Sequence, residues 1–278
     1  MKFLQVTFAA ALSTLAVTTT VEADGHSDLG AFVVEALENT LMAGDASRIV
    51  DYFSPNYINH NPSVADGPEP LAGLANKLQP VGGLQGEIVR VLVDGDTVAL
   101  HSRWDNVGPT PMIAFDVFRV EDGLIVEHWD NLTPATGLNP SGRSQIDGET
   151  EVTDLDKTEE NRALVNDLIT RGFINGEQID FATYINPDKY HQHNSMIADG
   201  LEGLGAAMQS GLSIKYDVVH RTVAQGNFVL TMSEGALNGT ASAFYDLFRL
   251  EDGLIVEHWD VISDMPDPNA PTNASGKF

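Results

Sequence analysis

Each half of the chain carries an imidazole two residues from a carboxylate, in a stretch that reads as β-strand: Glu127-His128-Trp129-Asp130 and Glu257-His258-Trp259-Asp260. Side chains alternate along a strand, so His128 shares a face with Asp130, and Glu127 shares the other with Trp129. His258 with Asp260 and Glu257 with Trp259 behave likewise. A neutral imidazole held beside a carboxylate is an acid/base unit near neutral pH, because the carboxylate fixes the tautomer and raises the proton affinity of the ring. The same strings also suit structure alone, with Trp129 and Trp259 in a core and His and Asp as a hydrogen-bonded strut.

A second block repeats upstream. Tyr57-Ile58-Asn59-His60-Asn61 precedes Ala65-Asp66-Gly67, and Tyr190-His191-Gln192-His193-Asn194 precedes Ala198-Asp199-Gly200. Tyr57, His60 and Asn61, with Tyr190, His193 and Asn194, offer hydroxyl, imidazole and amide groups that can orient or polarise a carbonyl oxygen without a metal. The block is expected where a helix hands over to a loop, and Asn61-Pro62 with the Asp-Gly pair also suits turn chemistry. A third candidate is the acid in Phe115-Asp116-Val117-Phe118 and Tyr245-Asp246-Leu247-Phe248. Such a residue either faces water or sits in a cavity where desolvation raises its basicity. His191 and His193 with His258 and Asp260 make a weak metal pattern whose geometry nothing fixes, so no metal is expected. There is no phosphate-binding Gly-rich loop, nucleophile elbow or His-Glu-x-x-His segment, which sets aside nucleotide chemistry, serine hydrolysis and the common zinc proteases.

These groups need a scaffold, and the chain supplies it twice. Phe118 to Asp130 and Phe248 to Asp260 are nearly the same string, and both blocks recur in the same order. A copy of about 110–125 residues can close its own core. In the first copy, helices are expected over 29–41, around 46–53 and over 69–78. Strands are expected over 86–93, 97–104, 112–120 and 124–132, with Asp-Gly hairpin turns. The second copy repeats the plan with helices over 163–173, 178–184 and 202–211, then strands over 214–223, 227–233, 241–250 and 254–262. Helices followed by an antiparallel meander make an α+β fold. The copies span 24–132 and 158–262, joined by a Pro-, Gly- and acid-rich linker over 133–157 and followed by a tail over 263–278 with little expected order. His101, Arg103 and Trp104 correspond to Met232, Glu234 and Gly235, and His220 stands where the first copy has Val89, so the copies are not chemically equivalent.

The first residues carry one Lys, an apolar run from Phe8 to Val17, and Val21-Glu22-Ala23. They read as a secretory leader cleaved after Ala23, which implies an exported or periplasmic protein. With 40 acids against 15 bases the net charge is −25. That surface disfavours nucleic acid and anionic membranes. The chain has no Cys, so disulfides and thiolate chemistry are excluded and the cores must hold the fold unaided. Asn131, Asn238 and Asn273 open N-x-Ser/Thr sequons.

The helices-then-meander order, the Tyr-x-x-His-Asn-Pro block with its Asp-Gly, and the string Asp-Val-Phe-Arg-x-Glu-Asp-Gly-x-Ile-Val-Glu-His-Trp-Asp together resemble the SnoaL-like polyketide cyclase family of the nuclear transport factor 2-like superfamily. The resemblance covers Leu29 to Leu132 and Ala163 to Ile262. It implies two tandem cones, each a curved antiparallel sheet around helices with an apolar pocket. It also implies ring closure by intramolecular aldol chemistry, without cofactor or metal, on a small hydrophobic carbonyl compound. By position in the motif, Asp116 and Asp246 would be the bases. His128 and His258 would assist them, and Tyr57, His60, Asn61, Trp104, Asp130, Tyr190, His193, Asn194 and Asp260 would hold substrate. Tandem copies would reproduce a dimer contact within one chain, sheet against sheet, giving a monomer in solution. The alternative is a non-catalytic carrier of a small hydrophobic ligand.

Overall fold

The computed structural model describes residues 21–267, 273 and 275–278. Most of the expected leader, residues 1–23, lies outside the described residues. The first unit runs through α1 (Val21–Leu37), α2 (Ile49–Tyr52), β1 (Phe53–Asn59), α3 (Pro68–Leu78), β2 (Gly86–Asp94), β3 (Thr97–Trp104), β4 (Met112–Glu121) and β5 (Leu124–Pro134). The second runs through α4 (Thr158–Leu168), β6 (His191–Gln192), α5 (Gly200–Gln209), β7 (Ile214–Gln225), β8 (Phe228–Leu237), β9 (Thr240–Glu251) and β10 (Leu254–Asp264). Each unit has one five-stranded sheet, in the orders β1-β5-β4-β3-β2 and β6-β10-β9-β8-β7. The fold is α+β in two tandem units.

Three expectations need correction. The Tyr57 block is not a handover from helix to loop: it is strand β1, parallel to β5, with Ile58 opposite Glu127 and Asn59 opposite His128. The sheets are therefore mixed. The chain after β1 folds back and closes this edge, because the Asp66 carboxylate accepts from Asn59 N at 2.8 Å and Gly67 N donates to Tyr57 O at 2.7 Å. Pro55 is tolerated there because an edge strand has one unpaired side. Second, the helix expected over 178–184 is only a 3₁₀ turn, Phe181–Thr183, capped by Asp180. Asn186-Pro187 follows and stops a longer helix. Third, the tail is not without order. β10 runs to Asp264, and Lys277 is buried with its Nζ 2.6 Å from Asp130 O.

Alternation in the strands splits each sheet into two faces. One face packs on the unit's own helices: Leu100 and Phe118 meet Val33, Leu37 and Leu71, and Val229 and Phe248 meet Val165 and Leu168. The other faces pack against each other in a single apolar seam that includes Phe115, Val117, Trp129, Phe228, Leu247 and Trp259. Two arginines at matching register positions cross the seam. Arg90, opposite His101, lies 4.2 Å over the Trp259 ring, and Arg221, opposite Met232, lies 3.8 Å over Trp129. Asn131 also belongs to the seam, fully buried, with its amide donating to Val261 O at 2.7 Å and Ala243 O at 3.1 Å. A sequon there offers no free amide in the folded chain.

Trp259 is fully buried and donates its indole N–H to Asp147 O at 2.8 Å. Trp259→Ala should cost about 3–5 kcal/mol of stability, the usual range for emptying an aromatic core site. Chemical denaturation followed by circular dichroism checks this, and a loss under about 1 kcal/mol would mean that the seam is not a true core.

Candidate active site

The motif residues separate as strand alternation requires. Glu127 and Trp129 face the seam, and His128 and Asp130 face the interior of the first unit. Asp116 lies opposite Asp130 in register, on the same face as Phe118. Asp116, His128 and Asp130 each bring one polar atom into a cluster whose members lie within 4.8 Å of one another, as do Asp246, His258 and Asp260.

The hydrogen bonds around each imidazole fix where protons sit. In the first unit, His128 Nδ1 lies 3.3 Å from Asn59 Oδ1, which also accepts from Asn61 N at 2.9 Å. An amide oxygen only accepts, so Nδ1 carries a hydrogen. Nε2 lies 3.3 Å from Asp116 Oδ1. Two acceptors thus flank one ring, and the His128–Asp116 contact is favourable only if it holds a further proton, as imidazolium with carboxylate or as imidazole with carboxylic acid. The second unit matches, with His258 between Gln192 Oε1 at 2.9 Å and Asp246 Oδ1 at 3.2 Å. Burial pushes His258 down, but the hydrogen bond to Asp246 and the charges of Asp260 and Asp246 outweigh it and hold the ring above its ordinary value. Burial also pushes the Asp260 carboxyl up.

The remaining carboxylate oxygens differ in their partners. Trp104 Nε1 donates to Asp116 Oδ2 at 3.1 Å, and Asn61 Nδ2 donates to Asp130 Oδ2. Asp130 Oδ1 is buried with no hydrogen-bond partner. In the second unit Tyr216 OH donates to Asp246 Oδ2 at 3.0 Å and Asn194 Nδ2 to Asp260 Oδ2 at 2.7 Å. Carboxylates met by N–H and O–H donors in this way are suited to handling protons, and the three side chains of each cluster are also close enough together to hold a metal ion. The weak metal pattern does not form: His193 lies on the opposite face from His258, bonded through Nε2 to Glu257 at 2.9 Å.

Of the residues singled out from sequence, Tyr57, Asn61, Trp104, Asp116, His128 and Asp130 line one cavity of about 370 Å³. Its remaining walls are largely apolar, including Leu37, Leu71, Phe118 and Leu132. Tyr190, Asp246, His258 and Asp260 line the counterpart in the second unit, which holds only about 50 Å³. Asn194 is outside that cavity and reaches the cluster through Asp260 and Gln192, and with Asp260 it lines a separate cavity of about 560 Å³. His60 and His193 line neither of these two cavities. His60 stacks on Trp129 at 4.8 Å and bonds Glu127 at 2.9 Å, and His193 stacks on Trp259 at 4.7 Å. His101 is also outside the cups, stacked on Phe115 at 4.3 Å in the seam. Asn59 and Gln192, which hold the two imidazoles and line the cavities, are the site residues missed. Counting by twos from Tyr57 and Tyr190 would have found them, had the block been read as strand.

The two cups differ in size through a reciprocal exchange on neighbouring strands. In the first, Gly86 pairs with Trp104; in the second, Tyr216 pairs with Gly235. A Cβ on Gly86 would sit 1.9 Å from Arg103 O, and one on Gly235 2.0 Å from Lys215 O, so each large ring has a glycine beside it. Both rings donate to the same carboxylate position, but Tyr216 packs edge-on against Phe173 at 5.4 Å and helps to fill its cup.

Residues 33–128 match the family model described as the SnoaL-like domain, and the second unit repeats that domain's motif and sheet order. The chain is similar to IdmH of Streptomyces antibioticus, described as a candidate polyketide cyclase, at 19% identity over 37% of this chain and 91% of that one, with a TM-score of 0.31. It is similar to an epoxide hydrolase of M. tuberculosis described as LEH-like, at 24% identity over 38% of this chain and 84% of that one, with a TM-score of 0.33. It is also similar to a nuclear transport factor 2-like protein from Cytophaga hutchinsonii, at 17% identity over 39% and 90%, with a TM-score of 0.33. No curated protein matches the chain significantly.

His258 and Asp260 both bind protons more tightly folded than unfolded, so their contribution to stability is present below the unfolded values and fades as pH rises through the folded ones. The stability lost in His258→Gln should therefore be larger near pH 6 than near pH 8.5. Urea unfolding of both proteins at the two pH values measures this, and a difference independent of pH would refute the charged assignment.

Proposed function

We propose that the first SnoaL-like unit is the working site of a cofactor-independent enzyme that removes a proton beside the carbonyl of a small apolar compound, leading to aldol-type ring closure or isomerisation. The observation that carries this reading is Asp130. Its Oδ1 is a buried carboxylate oxygen that accepts no hydrogen bond, with the Lys277 ammonium 3.8 Å away as its charge partner, on a residue lining an apolar cavity of about 370 Å³. A buried acceptor left unmet costs about 1–3 kcal/mol unless something arrives to satisfy it, and a proton taken from substrate would do so.

The roles follow from which oxygens are free. The resemblance assigns the base to Asp116, but Trp104 and His128 occupy both of its oxygens. Asp116 is better suited to hold the proton shared with His128. Asp130 is then the base: it takes the proton from the carbon next to the carbonyl, and the electron pair moves onto the carbonyl oxygen. His128, carrying a proton, stabilises the developing enolate. The enolate carbon then attacks a second carbonyl of the same molecule, whose oxygen takes up the proton held by Asp130 to become a hydroxyl, or the enolate takes that proton back at another carbon to give the isomer. The cavity is near the small end of ligand sites, which favours a compact substrate. The second cup, at about 50 Å³, is too small for one, and the neighbouring cavity of about 560 Å³ reaches Asp260 but neither Asp246 nor His258, so the second unit serves as scaffold. The residues at the N-terminus and the acidic balance support an exported protein that avoids nucleic acid and anionic membranes, with both units paired within one chain.

A carrier is the second reading, favoured by the way Asp116 and His128 already satisfy each other without a ligand. Deuterium exchange at the α-carbon of 2-tetralone, followed by NMR in D₂O, separates the two. The wild type should accelerate exchange, Asp130→Asn should lose about 10²–10⁴-fold of that acceleration, and Asp246→Asn should lose none. Binding of the ketone without accelerated exchange would leave only the carrier.

A further inference from the structure

A third duplicated motif links the two units. The chain after the first sheet reads Asn139-Pro140-Ser141-Gly142-Arg143, and the chain after the second reads Asn273-Ala274-Ser275-Gly276-Lys277. Neither segment docks on the sheet it follows. The Asn139 amide nitrogen donates to Gln192 O at 2.6 Å, Ile197 O at 3.1 Å and Asn194 O at 3.3 Å, all in the second unit. The Asn273 amide nitrogen donates to Asn59 O at 2.6 Å, Asn61 O at 2.8 Å and Val64 O at 3.1 Å, all in the first. The acceptors occupy the same places in the two copies of the Tyr block. The serines follow the same pattern, Ser275 Oγ reaching Asp66 at 3.1 Å and Ser141 Oγ accepting from Asp199 N at 2.8 Å.

We infer that each cup is set by a strap from the opposite unit, with Asn273 positioning the first cup and Asn139 the second. The three carbonyls that Asn273 gathers flank the side chains that hold the acid/base cluster: Asn59 accepts from His128, and Asn61 donates to Asp130. Two further contacts fasten the strap, Gly276 O at 3.2 Å from His60 Nδ1 and Lys277 Nζ at 2.6 Å from Asp130 O. The strap from the second unit thus grips β5, which bears His128 and Asp130, and β1, whose Asn59 holds His128. Phe278, at its end, stacks on His220 at 4.2 Å and returns the chain to its own unit. The two straps are not identical in chemistry. Arg143 turns to the surface and pairs with Asp199 at 2.9 Å, whereas Lys277 is buried beside Asp130, with Nζ 3.8 Å from Oδ1. A buried cation is delivered only to the roomier cup.

The inference deepens the functional reading, since it concerns the same cluster, but its test needs no substrate and so fails or succeeds separately. In full-length protein labelled with ¹⁵N-histidine, long-range ¹H–¹⁵N correlation spectra report the protons on each imidazole. Asn273→Ala and Asn273→Asp, the latter keeping shape while removing the donors, should displace the ring-nitrogen resonances of His128 and leave those of His258 unmoved. Asn139→Ala and Asn139→Asp should do the reverse. Crossed effects of this kind are not produced by general destabilisation, which would move both rings together. Either both rings moving together or each variant disturbing the unit that its segment follows would overturn the inference. So would a His128 spectrum unchanged in both Asn273 variants.

Discussion

The architecture depends on the alternation of side chains along β5 and β10. Four consecutive residues, Glu-His-Trp-Asp, serve two environments that a strand can reach at once. His128 and Asp130 turn inward to the cup, while Glu127 and Trp129 turn outward to the seam. The outward pair is held by its neighbours: Glu127 accepts from His60 Nε2 and Arg119 Nε, each at 2.9 Å, and the Trp129 ring, whose indole N–H meets no acceptor, packs against His60 and Arg221. A slip of one residue in β5 would put the indole in the cup and the imidazole in the seam, so packing at the seam locks the register of the chemistry.

This coupling explains why the outward histidines recur in sequence and yet lie outside the two cups. His60 and His193 recur because each completes a chain from arginine through glutamate to imidazole to indole. Glu257, almost wholly buried, makes the case: burial pushes its carboxyl up, but the hydrogen bonds from His193 and Arg249 outweigh that and hold it below the ordinary glutamate range. Removing either donor would leave a charged group in the protein interior, which is sufficient reason for the trio to stay together in both copies.

Most of the strands were legible in the sequence because alternation and Asp-Gly turns are local signals. Asp122-Gly123 and Asp252-Gly253 take left-handed conformations, as the two-residue hairpins between β4 and β5 and between β9 and β10 require. The edge strand β1 was not legible, since Ser54-Pro55-Asn56 has poor strand propensity and its pairing with β5 depends on a loop that folds back through Asp66. That one misreading hid Asn59 and Gln192 and placed His60 in the wrong environment. The straps were hidden for a related reason. Asn-x-Ser-Gly-basic is a turn-forming string with no apolar period, and only the tertiary contacts show that its asparagine gathers carbonyls from another unit.

The size difference between the cups follows from the same economy of position. One donor must reach the Asp116 or Asp246 carboxylate from the middle strands, and two neighbouring register positions can supply it. The bulky ring can stand on β3, with glycine on β2, or on β7, with glycine on β8. An indole from β3 leaves an open volume, whereas a phenol from β7, backed by Phe173 and Phe244, fills it. The Asp116 or Asp246 carboxylate keeps its donor either way, because either ring reaches its Oδ2. Retention of Asp246, His258 and Asp260 in the small cup is therefore no evidence of turnover there. Buried carboxylates next to an imidazole need their partners for stability alone, and the filled cup supplies those partners without leaving space for a substrate.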